Sequence, residues 1–225
     1  MSKTSNLRPE AWDVNKRLAE LALKREILLD AVRRGSDALA NCTPNHPISY
    51  GGSAFWAETI CGAAELLAPS GWRRIDPSGQ PLLINAKGNL AFTVSTGDEN
   101  TGKLDSLVDP YTKYPKGPIT INEVKANSGW LFPELEEDER ARLECLKYDF
   151  WILLAHRDDV SGVVRCEFSR PVDMDKQGHI RDWSERIILG EIPFHKGGYE
   201  RKPEDGGGDA PQKSGEIIVQ IKRRA

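Results

Sequence analysis

The stretch FWILLAHRDDVSGVVRCEFSRPVDMDKQGHIRDWSERIILGEI (150–192) decides the fold. The turn sequences DDVSG (158–162) and DMDKQG (173–178) divide it, and connections this short join antiparallel neighbours. The divided segments are rich in apolar and β-branched residues, which is typical of β-strands. They are 150–156, 163–172 and 180–192. The stretch therefore predicts a meander of three antiparallel strands.

A second strand region lies upstream. The segments LLIN (82–85) and NLAFTVST (89–96) flank AKG (86–88), and a glycine in a short connection between two strands is typical of a β-hairpin. Apolar residues alternate along 89–96, which indicates one buried face. WRRID (72–76) predicts a further short strand.

The N-terminal third is predicted to be helical. Residues 9–34 indicate one helix, because Pro9 suits a first helical turn and Gly35 a C-terminal cap. Arg25 falls within its apolar stripe and must either extend to the edge or pair with an acid. The stripe consists of Val14, Leu18, Leu21, Ala22, Leu28, Leu29 and Val32.

Further helices are predicted at 54–68, after a capping Ser53, and at 133–147. The segment 119–127 fits either a helix opened by Pro118 or a strand. Together these patterns predict an α+β fold with helices packed on an antiparallel β-sheet. The predicted organisation is a single domain (1–195: helical 9–68, strands 72–96, loop 97–118, helix 133–147, meander 149–193), a flexible linker (196–215) and a C-terminal strand with a basic tip (216–225).

Composition narrows the function classes. The net charge of −3 excludes a basic field over the whole protein, so any nucleic-acid contact needs a local patch. The four cysteines form no CxxC pair and are best explained as buried free thiols of a reducing compartment. No signal peptide and no membrane-length apolar run are recognisable. We therefore expect a cytoplasmic protein, and no pattern predicts a cofactor.

The long loop 97–118 is the first candidate site, because structureless loops of this length are usually functional or disordered. Its opening, STGDENTG (95–102), could offer backbone N–H groups and carboxylates to a phosphate or a metal ion. The alternative is a solvated loop that satisfies its own turns. The candidate binding residues here are Thr96, Asp98, Glu99, Thr101, Lys113 and Lys116.

Glu123 and Lys125 form an ExK pair downstream of Asp98. Metal-dependent nucleases of the PD-(D/E)xK type use such acids to hold Mg²⁺ and the lysine to steady a water. That chemistry requires the pair on a core strand, whereas Pro118 favours a helix here. The pattern leaves a metal-dependent hydrolase or nuclease using Asp98, Glu99 and Glu123 as an alternative function.

Two weaker signals remain. His156 with Asp158 and Asp159, and His179 with Asp182, are more typical of charged turns than of a catalytic dyad. Basic side chains that could meet nucleic-acid phosphates are Arg73, Arg74, Lys222, Arg223 and Arg224.

Two features bear on association. The N-terminal stripe follows heptad spacing and is compatible with a homodimer seam, although packing on its own sheet is the favoured interpretation. The last segment, EIIVQI (216–221), could add to an exposed sheet edge in its own domain or in a partner.

The combination of LRPEAW (7–12), STGDENTG (95–102), YPKGP (114–118) and LFPE (131–134) resembles uncharacterised proteins carried on bacterial plasmids and integrative elements. The resemblance implies a bacterial accessory protein and attaches no activity to any residue. The leading hypothesis is thus a non-enzymatic binding protein of a mobile element. We expect it to contact a protein, or nucleic acid, through the 97–118 loop and the chain ends.

Overall fold

The computed structural model describes residues 6–8, 11–104, 108–128 and 148–194. Within them a seven-stranded sheet has the order β1-β7-β6-β5-β4-β3-β2. Its strands are β1 Asn6–Arg8, β2 Arg73–Ile75, β3 Leu82–Ile84, β4 Leu90–Thr96, β5 Asp149–Asp158, β6 Val163–Met174 and β7 Ile180–Pro193. The helices are α1 Ala11–Glu20, α2 Arg25–Ala40, α3 Tyr50–Leu67 and α4 Pro118–Asn127. The predicted α+β class is confirmed.

The sheet is mostly antiparallel. Strands β5, β6 and β7 form the predicted meander, and β2, β3 and β4 form a second antiparallel unit. The two units join through a parallel pair, β4 with β5, in which Leu90 lies opposite Asp149. A second parallel pair joins β1 to β7. The predicted antiparallel character of the sheet is thus confirmed for most of its strand pairs, and the two parallel pairs were not predicted.

The predicted helix 9–34 is two helices. The chain turns between α1 and α2, where Ala22 adopts a left-handed φ of 57°. Gly35 lies inside α2 and does not cap it. A Cβ at this position would overlap Thr59 and the Phe55 carbonyl of α3, so the close packing of α2 on α3 requires a glycine here. The half-buried Arg25 guanidinium is hydrogen-bonded within the protein, because its Nε donates to the Leu189 carbonyl oxygen at 2.6 Å.

Helices α1 to α3 cover the first face of the sheet. The predicted stripe residues Val14, Leu18, Leu28 and Val32 are buried there against β4 to β7. Packing on the chain's own sheet is thereby confirmed. Because these side chains are buried in the core, the structure does not support a homodimer seam along this stripe.

The second face is covered by α4, by loop 97–118 and by the far end of the β6–β7 hairpin. The open choice at 119–127 resolves as helix α4, with Pro118 at its start. The β6–β7 register shifts at Arg170, Pro171 and Asp173. Beyond these irregularities Ile180 of the hairpin is buried in the same apolar cluster as Phe150. Within the described residues this face is therefore covered by the loop, the hairpin and the short helix α4.

Several predicted elements lie outside the described residues. These are helix 133–147, linker 196–215, the strand 216–221 and the basic tip. Among the helices of the described ranges, none combines the length and apolar character needed to cross a membrane.

Candidate functional site

The opening of loop 97–118 is clamped onto the second face. Arg165 of β6 donates from Nε to the Thr101 carbonyl at 3.1 Å and from Nη2 to the Glu99 carbonyl at 3.0 Å. The Gly102 N–H donates to the Glu167 carboxylate at 2.8 Å. Sequence STGDENTG therefore forms a packed structural loop with its main chain anchored to β6.

Asp98 organises this loop from within. It is 4% exposed, and its carboxylate accepts bonds from Asn100 N–H and Nδ2 at 3.2 and 2.9 Å and from the Tyr111 N–H at 3.3 Å. Burial raises the pKa of this carboxyl, against the effect of those hydrogen bonds. Thr101 N–H donates to the Asp98 carbonyl. These amide groups are engaged within the protein, so they do not form the row of available donors that a phosphate needs.

The other candidate residues of this segment have different environments. Glu99 is exposed, and Thr96 is half-buried. Thr101 is fully buried, and its Oγ1 has no hydrogen-bond partner among the described residues. Gly97 lies directly beneath it, because a Cβ there would overlap the Thr101 side chain.

Glu123 lies on the buried side of α4. Its carboxylate accepts bonds from Gln80 Nε2 at 2.8 Å and from the Tyr148 hydroxyl at 3.1 Å. Burial raises the pKa of Glu123 to about 7 and raises that of the Tyr148 hydroxyl as well. Asp98 and Glu123 share none of these partners, and Lys125 is half-buried on the same helix. Within the described ranges no group of three His, Cys, Asp or Glu side chains could hold a metal ion.

Lys113 and Lys116, which the sequence grouped as anion contacts, have separate roles. Lys113 is exposed, and its ammonium lies 5.9 Å from the centre of the Tyr114 ring. Lys116 turns inward, and its Nζ lies 2.5 Å from Ser95 Oγ on β4. Burial lowers the pKa of Lys116 to about 8. The alternation along β4 placed Ser95 on the face opposite Val94, but no sequence signal pointed to its pairing with Lys116.

A buried ion pair on the second face was missed altogether. Arg186 of β7 donates from Nη2 to Glu167 at 2.7 Å and from Nη1 to Asp109 at 3.0 Å. Ser169 donates to the same Glu167 carboxylate at 2.7 Å. The available signal was the occurrence of charged residues inside apolar strands, at Arg165, Glu167 and Arg186. The pair ties β6, β7 and the loop together.

The two histidines contact the main chain of the loop. His156 Nδ1 lies 3.2 Å from the Gly97 carbonyl oxygen, and His179 Nδ1 lies 2.7 Å from that of Thr112. Gly97 and Thr112 form a β-bridge with each other. Both rings therefore help to hold the loop.

The candidate basic residues on β2 are exposed. Arg74 forms a bidentate contact with Asp76, with its closest distance 2.9 Å, and Arg73 lies beside it on the edge strand. Lys222, Arg223 and Arg224 are outside the described residues. The Asp76 carboxylate neutralises part of the charge that a phosphate contact would use.

The later part of the loop exposes apolar side chains on this anchored base. Four large apolar residues between positions 104 and 114 are 37–61% exposed, and two exposed lysines accompany them. These six residues are called the loop surface: Lys103, Leu104, Val108, Tyr111, Lys113 and Tyr114.

An open groove of about 570 Å³ lies between α2 and α3. Arg34 on its wall donates to Glu58 at 2.8 Å and to Glu65 at 2.5 Å. The charge of Arg34 is therefore paired within the protein. Comparisons of the chain with protein-family models, with curated proteins and with solved structures gave no match.

Proposed function

We propose that this protein is a binding or accessory protein that contacts a protein partner through the loop surface. The observation that carries the proposal is the exposure of Leu104, Val108, Tyr111 and Tyr114 within one short segment. Clustered exposed apolar residues on a monomer commonly mark an interaction site. Tyrosine is among the residues that contribute most to binding at protein interfaces.

The anchoring of the loop supports this role. Arg165 and Glu167 fix its opening, and the Lys113 N–H donates to the Thr96 carbonyl at 2.9 Å. The Trp183 indole donates to the Pro110 carbonyl at 2.7 Å. A contact segment held on a rigid base loses little conformational entropy on binding.

A protein partner is favoured over nucleic acid. The loop surface has two lysines, and Arg74 is already paired with Asp76. Binding to nucleic acid depends on several phosphate contacts and falls steeply with salt. The proposed setting, a cytoplasmic accessory role encoded on a bacterial mobile element, follows from the resemblance of the sequence.

Affinity capture with a matched pair of variants tests the proposal. The tagged protein is compared with L104S/V108S/Y111S/Y114S in extracts of the cells that produce it, and captured proteins are quantified by mass spectrometry. The control I48S/V160S removes two apolar side chains of 68% and 98% exposure elsewhere on the molecule. We expect a protein recovered by wild type and control to fall at least about tenfold with the loop variant.

Equal recovery by the loop variant and the control would remove the loop surface from the function. Fluorescence anisotropy with mixed single-stranded DNA and RNA covers the other partner class. Salt-dependent binding at low ionic strength would replace the protein partner by nucleic acid.

A further inference from the structure

Lys116 places an amine beside a hydroxyl on the second face of the sheet. Its Nζ lies 2.5 Å from Ser95 Oγ, which is hydrogen-bond contact. Ser95 is 3% exposed. Lys116 is half-buried, whereas its chain neighbours Tyr114, Pro115 and Gly117 are exposed. A buried ammonium is normally paired with an acid, yet among the described residues no carboxylate lies within ion-pairing distance of this one.

The charged groups on the elements around Lys116 are engaged elsewhere. In the β6–β7 turn, Asp175 accepts bonds from the Gln177 and His179 N–H groups, and His179 contacts the Thr112 carbonyl. On α4, the carboxylate of Glu123 is held by neutral donors. On β4, the group in contact with the Lys116 ammonium is the uncharged hydroxyl of Ser95. Burial is accordingly the cause that lowers the pKa of Lys116 to about 8.

We propose that Ser95 and Lys116 form a nucleophile–base pair that transfers acyl groups from carboxylic esters to water. A hydroxyl is a weak nucleophile until an adjacent base removes its proton, and a desolvated neutral lysine is such a base. This activity lies beyond the proposed binding function, and each of the two proposals can be disproved without affecting the other.

The reaction balances with these two side chains and water. Ser95 Oγ forms a bond to the acyl carbon while neutral Lys116 takes the hydroxyl proton. When the bond between the acyl carbon and the leaving oxygen breaks, the Lys116 ammonium returns that proton to the departing alkoxide. Lys116 then takes a proton from water as the water oxygen attacks the acyl-serine. The proton finally returns to Ser95 Oγ, which restores the pair.

Access to the pair requires the covering segment to open, because Ser95 is 3% exposed. The covering segment is tied down by two main-chain bonds, from Lys113 to Thr96 and from Lys116 to Gly178. An acyl donor reaches Ser95 when the bond from Lys113 opens while Lys116 stays anchored to Gly178, so we expect slow reaction, faster with small probes than with large ones.

A fluorophosphonate probe tests the proposal on the full chain. Attack by Ser95 Oγ forms a P–O bond and expels fluoride, which leaves a stable adduct that peptide mass mapping locates. We expect the adduct on Ser95 and none on Ser169, which is also buried but donates to Glu167 instead of contacting an amine. The labelling rate should rise about tenfold between pH 7 and pH 9, as Lys116 loses its proton.

Two variants complete the test. K116M should lower labelling of Ser95 at least about a hundredfold and leave its pH dependence flat, and S95A should abolish the adduct. Circular dichroism and thermal melting confirm that each variant is folded. Absence of a Ser95 adduct on the wild type after prolonged incubation at pH 9 would overturn the proposal. An adduct on Lys116 instead, or equal labelling of folded K116M, would overturn it too.

Discussion

The two faces of strands β4 to β7 are both buried, but they are built from different chemistry. On the first face Phe92 and Phe168 pack edge to face, and Trp151 stacks on Phe168 at 5.0 Å. On the second face, one residue along the same strand, Glu167 is fully buried and bonded to Arg186. The first face is stabilised by apolar area removed from water. The second face combines a smaller apolar cluster, which includes Phe150 and Ile152, with buried polar groups that each depend on a partner.

The comparison teaches that burial alone does not show how a face is stabilised. An apolar side chain contributes wherever it packs, so the first face tolerates some variation in its neighbours. A buried carboxylate or ammonium contributes only in combination with its partner. Loss of one side chain therefore has different consequences on the two faces.

The largest expected effect is on the second face, from R186M. This variant removes the guanidinium and leaves Glu167 buried without its cation, which we expect to lower the free energy of unfolding by about 3–5 kcal/mol. Urea unfolding followed by circular dichroism measures the loss. R74M, at the exposed contact with Asp76, is the matched control and should be close to wild type.

The double variant E167M/R186M sharpens this result. It removes both charges, so it should recover part of the stability lost in R186M. A loss in R186M below about 1 kcal/mol would show that Glu167 accommodates the change, and the contrast between the faces would disappear.

On the first face, L153A should cost about 2–5 kcal/mol through lost apolar contact and the cavity left behind. Leu153 is fully buried among the side chains under α1 to α3. V160A, at a position 98% exposed, is the control, and its free energy of unfolding should equal that of the wild type. An L153A loss far below this range would mean that the helices collapse into the space and that the first face is loosely packed.

Glu123 predicts a pH effect of intermediate size. Its pKa of about 7 in the folded chain exceeds the usual 4.5, so the folded state holds a proton that the unfolded state has released between these values. The free energy of unfolding should therefore fall as pH rises from about 4.5 to 7, by up to about 3 kcal/mol from this group.

E123Q removes that titration. Urea unfolding at pH 5 and pH 8 should show a smaller stability loss across the interval for E123Q than for wild type. The exposed-carboxylate variant E26Q serves as control and should keep the wild-type pH dependence. Parallel curves for all three proteins would mean that water reaches the Glu123 carboxylate in solution.

The sequence predicted what apolar periodicity and turn chemistry determine. The meander followed from three apolar runs and two turns, and the β3–β4 hairpin from Gly88, which adopts the left-handed φ of 72° expected at such a turn. The burial of Val14 and Leu18 followed from helical spacing alone. These features depend on residues close together in the chain, so local physics suffices to predict them.

The features that sequence reasoning missed depend on partners far away in the chain. The parallel pairing of β4 with β5 is encoded by no local pattern, because the two strands lie far apart in the chain. Gly35 looked like a helix cap because its true contact, Thr59 on α3, is a tertiary one. Likewise the internal partners of Asp98 and Lys116, which are Tyr111 and Ser95, become their neighbours only after folding.

The smallest expected effect is at the loop surface, and it completes the comparison. V108S/Y114S alters two side chains that are 61% and 59% exposed, so each change should shift the free energy of unfolding by less than about 0.5 kcal/mol. T112V, in the same loop, removes a fully buried hydroxyl that accepts the Ile180 N–H at 3.0 Å and should cost about 1–3 kcal/mol. Urea unfolding of both variants separates the anchoring part of the loop from its outer part. A V108S/Y114S loss as large as that of T112V would mean that these side chains belong to the polar layer of the second face. In that event their exposure would no longer argue for a contact surface.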